Sequence, residues 1–170
     1  DGHSLAFRAF YALSPDSFKT STGQHTNAVH GFISMMLNIL QAEQPSHMAV
    51  AFDLSRSSFR TDEYPAYKGT RGETPPEFNG QTELLTEALA AMNIVTITKV
   101  NYEADDVIAT LAEYSQTSNT DGLLPSQEPF LVLSGDHDFN QLQKWGNVKQ
   151  YAPIQKKFIK LTETPEAVLM

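Results

Sequence analysis

The sequence predicts an α/β fold with a mainly parallel central sheet flanked by helices. Three observations carry that expectation. Short apolar, β-favouring runs at His47–Phe52, Ile94–Thr98 and Phe130–Leu133 alternate with longer stretches whose apolar residues recur at helical spacing. Such alternation implies parallel pairing, because parallel neighbours need a crossover connection between them. Carboxylates follow two of these runs, Asp53 after the first and the pair Asp136 and Asp138 after the last. The carboxyl ends of parallel strands are where open α/β sheets place their sites. The 170 residues suit one domain of ordinary size, and 41% hydrophobic residues supply a sizeable core.

In chain order, Ser4 is placed to cap a helix running to Leu13, with Leu5, Phe7, Phe10, Tyr11 and Leu13 apolar. Arg8 is the lone charge in that run and reads either as a solvated helix charge or as a phosphate contact. Ser14–His25 is a loop rich in Ser, Thr and Gly. A second helix is expected over Ala28–Gln44, started by Thr26 or Asn27, with Val29, Phe32, Ile33, Met36, Leu37 and Leu40 as its apolar stripe. The N–H groups at its start are able to receive a phosphate, and capping accounts for Thr26 and Asn27 equally well. Pro45 ends this helix, and the strand His47–Phe52 leads into Asp53.

Leu54–Pro76 has no clean apolar period, and a segment that long inside a compact domain is usually functional or without fixed structure. It interleaves Arg56, Arg60, Lys68 and Arg71 with Phe59, Tyr64 and Tyr67. That mixture suits a surface that tracks a phosphate backbone and stacks bases, and it suits a plain surface loop. Glu77–Met92 reads as an amphipathic helix weakened in its first turn by Gly80, and Ile94–Thr98 as a strand. The next helix, Tyr102–Ser115, has Glu103, Asp105 and Asp106 crowded into its opening turn. Acidic residues there favour the helix dipole, but three exceed what that preference needs. Gln116–Pro129 is a polar connection. Val148–Tyr151 and Lys157–Leu161 are expected as short strands, and Thr164–Glu166 starts a final helix with Pro165 in its first turn.

Composition narrows the chemistry. Cys is absent, which excludes disulfides and thiolate metal sites and fits a reducing, cytoplasmic setting. No apolar run approaches the ~20 residues that span a bilayer, and the chain opens at Asp1 without a leader-like segment. The net charge is −8, yet nine of the twelve cationic side chains fall in two short segments. Four lie within Arg56–Arg71, and five, Lys144, Lys149, Lys156, Lys157 and Lys160, lie within Lys144–Lys160. A local basic patch holds phosphates even on an acidic chain. No nucleotide-binding glycine fingerprint and no nucleophile triad stands out.

The stretch Phe130–Leu142, FLVLSGDHDFNQL, concentrates the question. Two aspartates at a strand end repel one another and are costly to bury unpaired. Either Asp138 caps the following helix, or the pair binds a divalent cation. Asp1, Asp53, Glu103, Asp105, Asp106, Asp136 and Asp138 together are able to form one acidic pocket. Carboxylates without His or Cys suit magnesium or manganese ions that retain waters. Two such ions ~3.5–4 Å apart clamp the attacking and leaving oxygens of a phosphodiester.

Six segments, DGHSLAFRAF, TSTGQHTNAVHGF, AVAFD, YPAYKGTRGETPPEF, NYEADDVIATLA and SGDHDFNQL, occur in the order found in the 5′ nuclease family. That family includes the 5′→3′ exonuclease domain of bacterial DNA polymerase I, phage 5′ exonucleases and flap endonucleases. The resemblance runs from Asp1 to about Leu142. The tail, NVKQYAPIQKKFIKL, is similar to the corresponding part of a T-even phage RNase H of the same family. The resemblance implies a PIN-like 5′ nuclease fold with an arch segment. It implies metal-dependent hydrolysis of DNA, or of an RNA primer, at a 5′ end or flap in replication and repair.

By position, Asp1, Asp53, Glu103, Asp105, Asp106, Asp136 and Asp138 match the family's metal-site carboxylates, which hold Mg2+ or Mn2+. Lys68 and Arg71 match catalytic arch residues at the scissile phosphate. Tyr67 matches an aromatic that stacks on a base, and Arg8 a helix arginine near the phosphate. Thr26 and Asn27 remain candidate phosphate contacts. DNA with a 5′ flap or end, or an RNA–DNA hybrid, is the expected partner, with no membrane and a monomeric chain. His3 stands where Asn is more usual. The family has a strand before the residue matching Asp1 and a helix-hairpin-helix-like module after the residue matching Met170. Residues 1–170 are therefore expected to be a fragment, an N-terminal catalytic domain whose second metal site is completed elsewhere. A DNA-binding fragment without catalysis and a PIN-like ribonuclease are the alternatives.

Overall fold

The computed structural model describes residues 1–55, 58–69, 72–117, 129–153 and 155–160. The chain divides into two compact units, Gly2–Glu103 and Ala104–Met170 together with Asp1.

The first unit contains α1 (Gly2–Ala12), α2 (Asn27–Glu43), β1 (Ala49–Ala51), α3 (Phe59–Glu63), α4 (Gln81–Ala91) and β2 (Val95–Ile97), with single 3-10 turns at Pro15–Ser17 and Pro76–Phe78. Helix α1 begins at Gly2, so Ser4 lies inside it and is not its cap. Its buried stripe is Gly2, Leu5, Ala6, Ala9 and Phe10, the three-to-four spacing of a helix with one inward face. Against it α2 turns Ala28, Phe32 and Met36 inward. Phe78 closes the side of α1, stacked on Phe7 at 4.3 Å and edge-on to Phe10 at 5.5 Å. The expected helix from Glu77 is interrupted. Gly80 adopts φ +78°, a left-handed conformation that ends the 3-10 turn and sets α4 off from Gln81. Gly80 thus lies before the helix and does not weaken its first turn.

Three elements of this unit share one buried polar junction. The Nδ2 of Asn27 donates to the carbonyls of Phe10 at 2.8 Å and Leu13 at 3.0 Å, where α1 ends. The Oε1 of Gln81 accepts from the N–H groups of Ala28 at 2.8 Å and Val29 at 3.3 Å, where α2 starts. Its Nε2 donates to Asn27 Oδ1 and to the Glu77 carbonyl, both at 2.8 Å. Helix ends carry backbone groups without intrahelical partners, and here two amide side chains satisfy them.

Strands β1 and β2 pair in parallel, Ala49 with Val95 through Ala51 with Ile97, and the ladder extends one step as Phe52 N–H donates to Ile97 O at 2.9 Å. That last bond carries the chain straight to Asp53.

The second unit holds α5 (Ala104–Thr117), β3 (Phe130–Leu133), a 3-10 segment (His137–Lys144), β4 (Val148–Ala152) and β5 (Lys157–Ile159). Helix α5 packs on β3 and on the 3-10 segment. β3 and β4 are parallel, and β5 adds antiparallel to β4. The two parallel pairings that strand–helix alternation implies are both present, distributed over a two-stranded and a three-stranded sheet. Val132, Val148, Ala152, Ile159, Phe139 and Leu142 form the apolar core here. The final helix expected from Thr164 lies outside the described residues, as does most of the Gln116–Pro129 connection. Among the described residues, no helix is long and apolar enough to cross a membrane.

Gln81→Leu should cost about 2–4 kcal/mol of stability, because it leaves buried donors and acceptors unpaired at ~1–3 kcal/mol each. Urea denaturation of the variant checks this. A loss below about 1 kcal/mol would mean the junction relaxes to find other partners.

Candidate metal centre and phosphate-contact residues

In the second unit, the sequence SGDHD becomes a hydrogen-bonded turn at the end of β3. Ser134 makes the last ladder bond, its N–H donating to Tyr151 O at 3.2 Å. Its buried hydroxyl then joins two predicted ligands. Ser134 Oγ donates to Asp1 Oδ2 at 3.0 Å and accepts from the Asp136 N–H at 3.2 Å. Asp136 Oδ1 accepts from the Asp138 N–H at 3.0 Å, so Asp136, not Asp138, caps the 3-10 segment. Capping and ligation are therefore not alternatives for this pair. The cap uses one oxygen of Asp136, and Asp138 stands exposed in the first turn. Asp105 and Asp106 occupy the first turn of α5 in the same unit, half-buried. Within either unit, no group of three or more His, Asp or Glu side chains among the described residues is close enough to hold a metal ion by itself.

In the first unit, Glu103 and Lys68 are partners. Lys68 Nζ lies 2.8 Å from Glu103 Oε2. Ser58 Oγ donates to Glu103 Oε1 at 3.1 Å, Tyr67 Oη reaches Oε2 at 3.4 Å, and Arg60 Nη1 stands 3.7 Å away. Burial pushes the Glu103 carboxyl up. The Lys68 hydrogen bond and charge, the Ser58 hydroxyl and the Arg60 charge pull it down further, leaving it below the ordinary range. Lys68 sits at φ +56° in the turn after Tyr64, with its ammonium 5.1 Å from the Tyr67 ring centre. Arg60 covers the Phe59 ring at 4.5 Å. The segment expected to be irregular thus contains a short helix, α3, and gathers Arg60, Tyr67 and Lys68 around one acid.

Asp53 is placed by His3. Its backbone N–H donates to His3 Nδ1 at 3.2 Å, which puts the ring proton on Nε2. Burial lowers the imidazole pKa and the Asp53 charge restores part of it, so the ring is held below its usual range. A neutral ring makes the 3.8 Å approach of Nδ1 to Asp53 Oδ2 a polar contact, not an ion pair. Gly2 permits this arrangement, since a Cβ there would lie 2.5 Å from the Phe52 ring.

Other predicted residues fall elsewhere. Asn27 is fully buried, with its amide spent on Phe10, Leu13 and Gln81, and the α2 N–H groups of Ala28 and Val29 are taken by Gln81. The Asn27 amide is therefore not available to a phosphate, because its donors and its acceptor are already paired inside the unit. Thr26 is half-buried and makes no side-chain cap. Arg8 is half-buried on α1. Arg71 and Arg56 lie outside the described residues. Sequence reasoning passed over Ser134, Ser58 and Gln150. All three are buried polar residues; Ser134 and Ser58 bond a carboxylate and Gln150 bonds backbone carbonyls of the turn, and only the strand alternation around Gln150 gave a signal that it faces inward.

The family model described as the 5′-3′ exonuclease, N-terminal resolvase-like domain matches residues 1–168, and the chain belongs to that family. DNA polymerase I of Mycobacterium tuberculosis strain H37Rv is 45% identical over 170 residues, covering 99% of this chain and 18% of that one. DNA polymerase I of Bacillus caldotenax is 44% identical over 172 residues, with the same coverage of 99% and 18%. The chain therefore spans about a fifth of the curated relatives it matches. Both matches extend through the tail beyond Leu142. Among solved structures, a bacteriophage T5 5′-exonuclease with bound divalent metal ions (zinc) superposes with a TM-score of 0.63 at 19% identity, covering 94% of this chain and 55% of that one. A T5 flap endonuclease complex with DNA and metal ions gives 0.64 at 20%, covering 98% and 58%. At that identity the likeness establishes the fold.

The Glu103 cluster makes a pH prediction. A carboxyl held below its unfolded value stabilises the fold above that value, and the contribution is lost as pH falls through the folded pKa. The window thus opens downward from the ordinary Glu value of 4.5. Lys68→Met should raise the Glu103 pKa and flatten the rise of stability with pH on the acid side. Urea midpoints between pH 3 and 6 check this. An unchanged slope would show that Lys68 does not hold the carboxyl down.

Proposed function

We propose that this chain is the 5′-nuclease portion of a larger DNA-processing enzyme. It hydrolyses phosphodiesters at 5′ ends or 5′ flaps of DNA, or of RNA–DNA hybrids, with Mg2+ or Mn2+. The observation that carries the reading is the hydrogen-bonded turn that ties Asp1, Asp136 and Asp138 together through Ser134, in a chain belonging to the 5′-3′ exonuclease family. The relatives named DNA polymerase I and the T5 complex with DNA and metal ions support the substrate and the cofactor.

The donor set fits a hard divalent cation. Magnesium is held by one or two carboxylates and keeps several waters, so a pair of aspartates suffices as its protein share. In the second unit that pair would be Asp136 with Asp1 or Asp138, the aspartates linked through the Ser134 turn. Asp105 and Asp106 there, and Asp53 and Glu103 in the first unit, are candidate ligands through family membership. When bound, such an ion polarises the phosphodiester and lowers the pKa of a coordinated water.

The remaining groups are the chain's own. Lys68 and Arg71 supply positive charge for the phosphate, the kind of electrostatic stabilisation that contributes most in phosphoryl chemistry. Lys68 is held at 2.8 Å by Glu103, and a phosphate is the competing anion for the same ammonium. Tyr67, half-buried beside it, offers a ring face for a base. His3 keeps Asp53 oriented by accepting its N–H, a task that the neutral ring performs and the imidazolium cannot.

Asp136→Asn in the full chain should lower Mg2+-dependent cleavage of a 5′-flap oligonucleotide about 100-fold or more. That is the order expected when several kcal/mol of charge stabilisation is withdrawn. Flap binding in the absence of cleavage should persist and weaken steeply with salt. Undiminished cleavage by the variant, or by the wild type in excess chelator, would refute the proposal. Preference for single-stranded RNA over flap DNA would point to a ribonuclease.

A further inference from the structure

We infer that Gln150, at the centre of β4, is a positioning residue for the carboxylate turn. The inference rests on reading that turn as a metal centre. Gln150 is 1% exposed, between the inward-facing apolar residues Val148 and Ala152 of the same strand. An aliphatic side chain would fill such a position at lower cost, because a buried amide loses its hydration. The amide spends both hydrogens on the turn. Its Nε2 donates to Ser134 O at 3.0 Å and to Asp136 O at 2.6 Å. These carbonyls flank Gly135, just where the chain leaves the sheet after the Ser134 to Tyr151 ladder bond.

Fixing the two carbonyls fixes everything attached to them. Ser134 then presents Oγ to Asp1 Oδ2 and to the Asp136 N–H, and Asp136 presents Oδ1 to the Asp138 N–H. One side chain from a neighbouring strand therefore sets the backbone from which three carboxylates are hung or bonded. The Oε1 of Gln150 is buried without a hydrogen-bond partner among the described residues. Burying an amide at this position costs desolvation, and the two hydrogen bonds to the turn are what offset it. Among neutral side chains only an amide NH2 donates to two carbonyls at once, and Gln is the amide of this length.

The test compares Gln150→Met with Val148→Ala in the full chain. Met keeps the volume and removes the donors, while the Val148 change loosens the same strand without touching the turn. Mn2+ affinity by calorimetry should fall about 10- to 100-fold for Gln150→Met, the range typical for loss of a group that orients metal ligands. For Val148→Ala it should stay within about twofold while the melting temperature drops. In flap cleavage, kcat should fall for Gln150→Met with little change in the KM for DNA. Should Gln150→Met fail to fold, Gln150→Leu, which also removes the donors without adding charge, is read in the same way. Mn2+ affinity no weaker in the Gln150 variant than in Val148→Ala overturns the inference and leaves the metal centre standing. Absence of Mn2+ binding in the wild type overturns both.

Discussion

Backbone groups lose their partners wherever a helix or strand stops, and this protein places its chemistry at such stops. Burying an unpaired N–H or C=O costs as much as losing a hydrogen bond, so each stop has to be closed by something. In the first unit the closure is the Asn27–Gln81 junction, which caps the end of α1 and the start of α2 at once. At the end of β3 it is Gln150 and the Ser134 hydroxyl. At the end of β1 it is the His3 ring. In the last two cases the residue brought to the stop is an aspartate, and the closing group orients its backbone without neutralising its carboxylate.

That distinction separates the acids of the molecule into two kinds. Glu103 is surrounded by cations and hydroxyls, and its charge is satisfied within the first unit. Asp136 accepts an N–H bond and Asp138 stands exposed, and among the described residues no lysine or arginine forms an ion pair with either. A carboxylate already matched by an ammonium has to exchange that partner before it serves another cation. One held only by neutral donors keeps most of its charge for a ligand. The second unit therefore carries the stronger case for ion binding, and the first the stronger case for phosphate contact through Lys68.

Much of this was legible in the sequence. The strand Phe130–Leu133 is found at its expected bounds, because a continuous apolar run ended by Ser-Gly has few other solutions. The carboxylates at strand ends and at the first turn of α5 were visible as a pattern of charge against periodicity. Polar residues that act through burial were not. Asn27 looked like an open helix start because its sequence context is identical whether the N–H groups face solvent or Gln81, 54 positions away. Gly80 looked like a weak helix residue, and its left-handed φ places it before the helix. Both misreadings have one cause. Local spacing fixes which face of an element is apolar, but not which distant side chain arrives to close its end.

Gln150 shows the same limit from the other side. Alternation along β4 places it inward, between Val148 and Ala152, where sequence alone would mark it as a frustrated core position. Local rules fail there for a physical reason. The parallel partner β3 ends in a turn with two carbonyls to satisfy, and the adjacent strand β4 supplies both donors from Gln150. A buried amide in an apolar strand therefore marks where the neighbouring strand departs from the sheet. In this fold, that departure carries the aspartates.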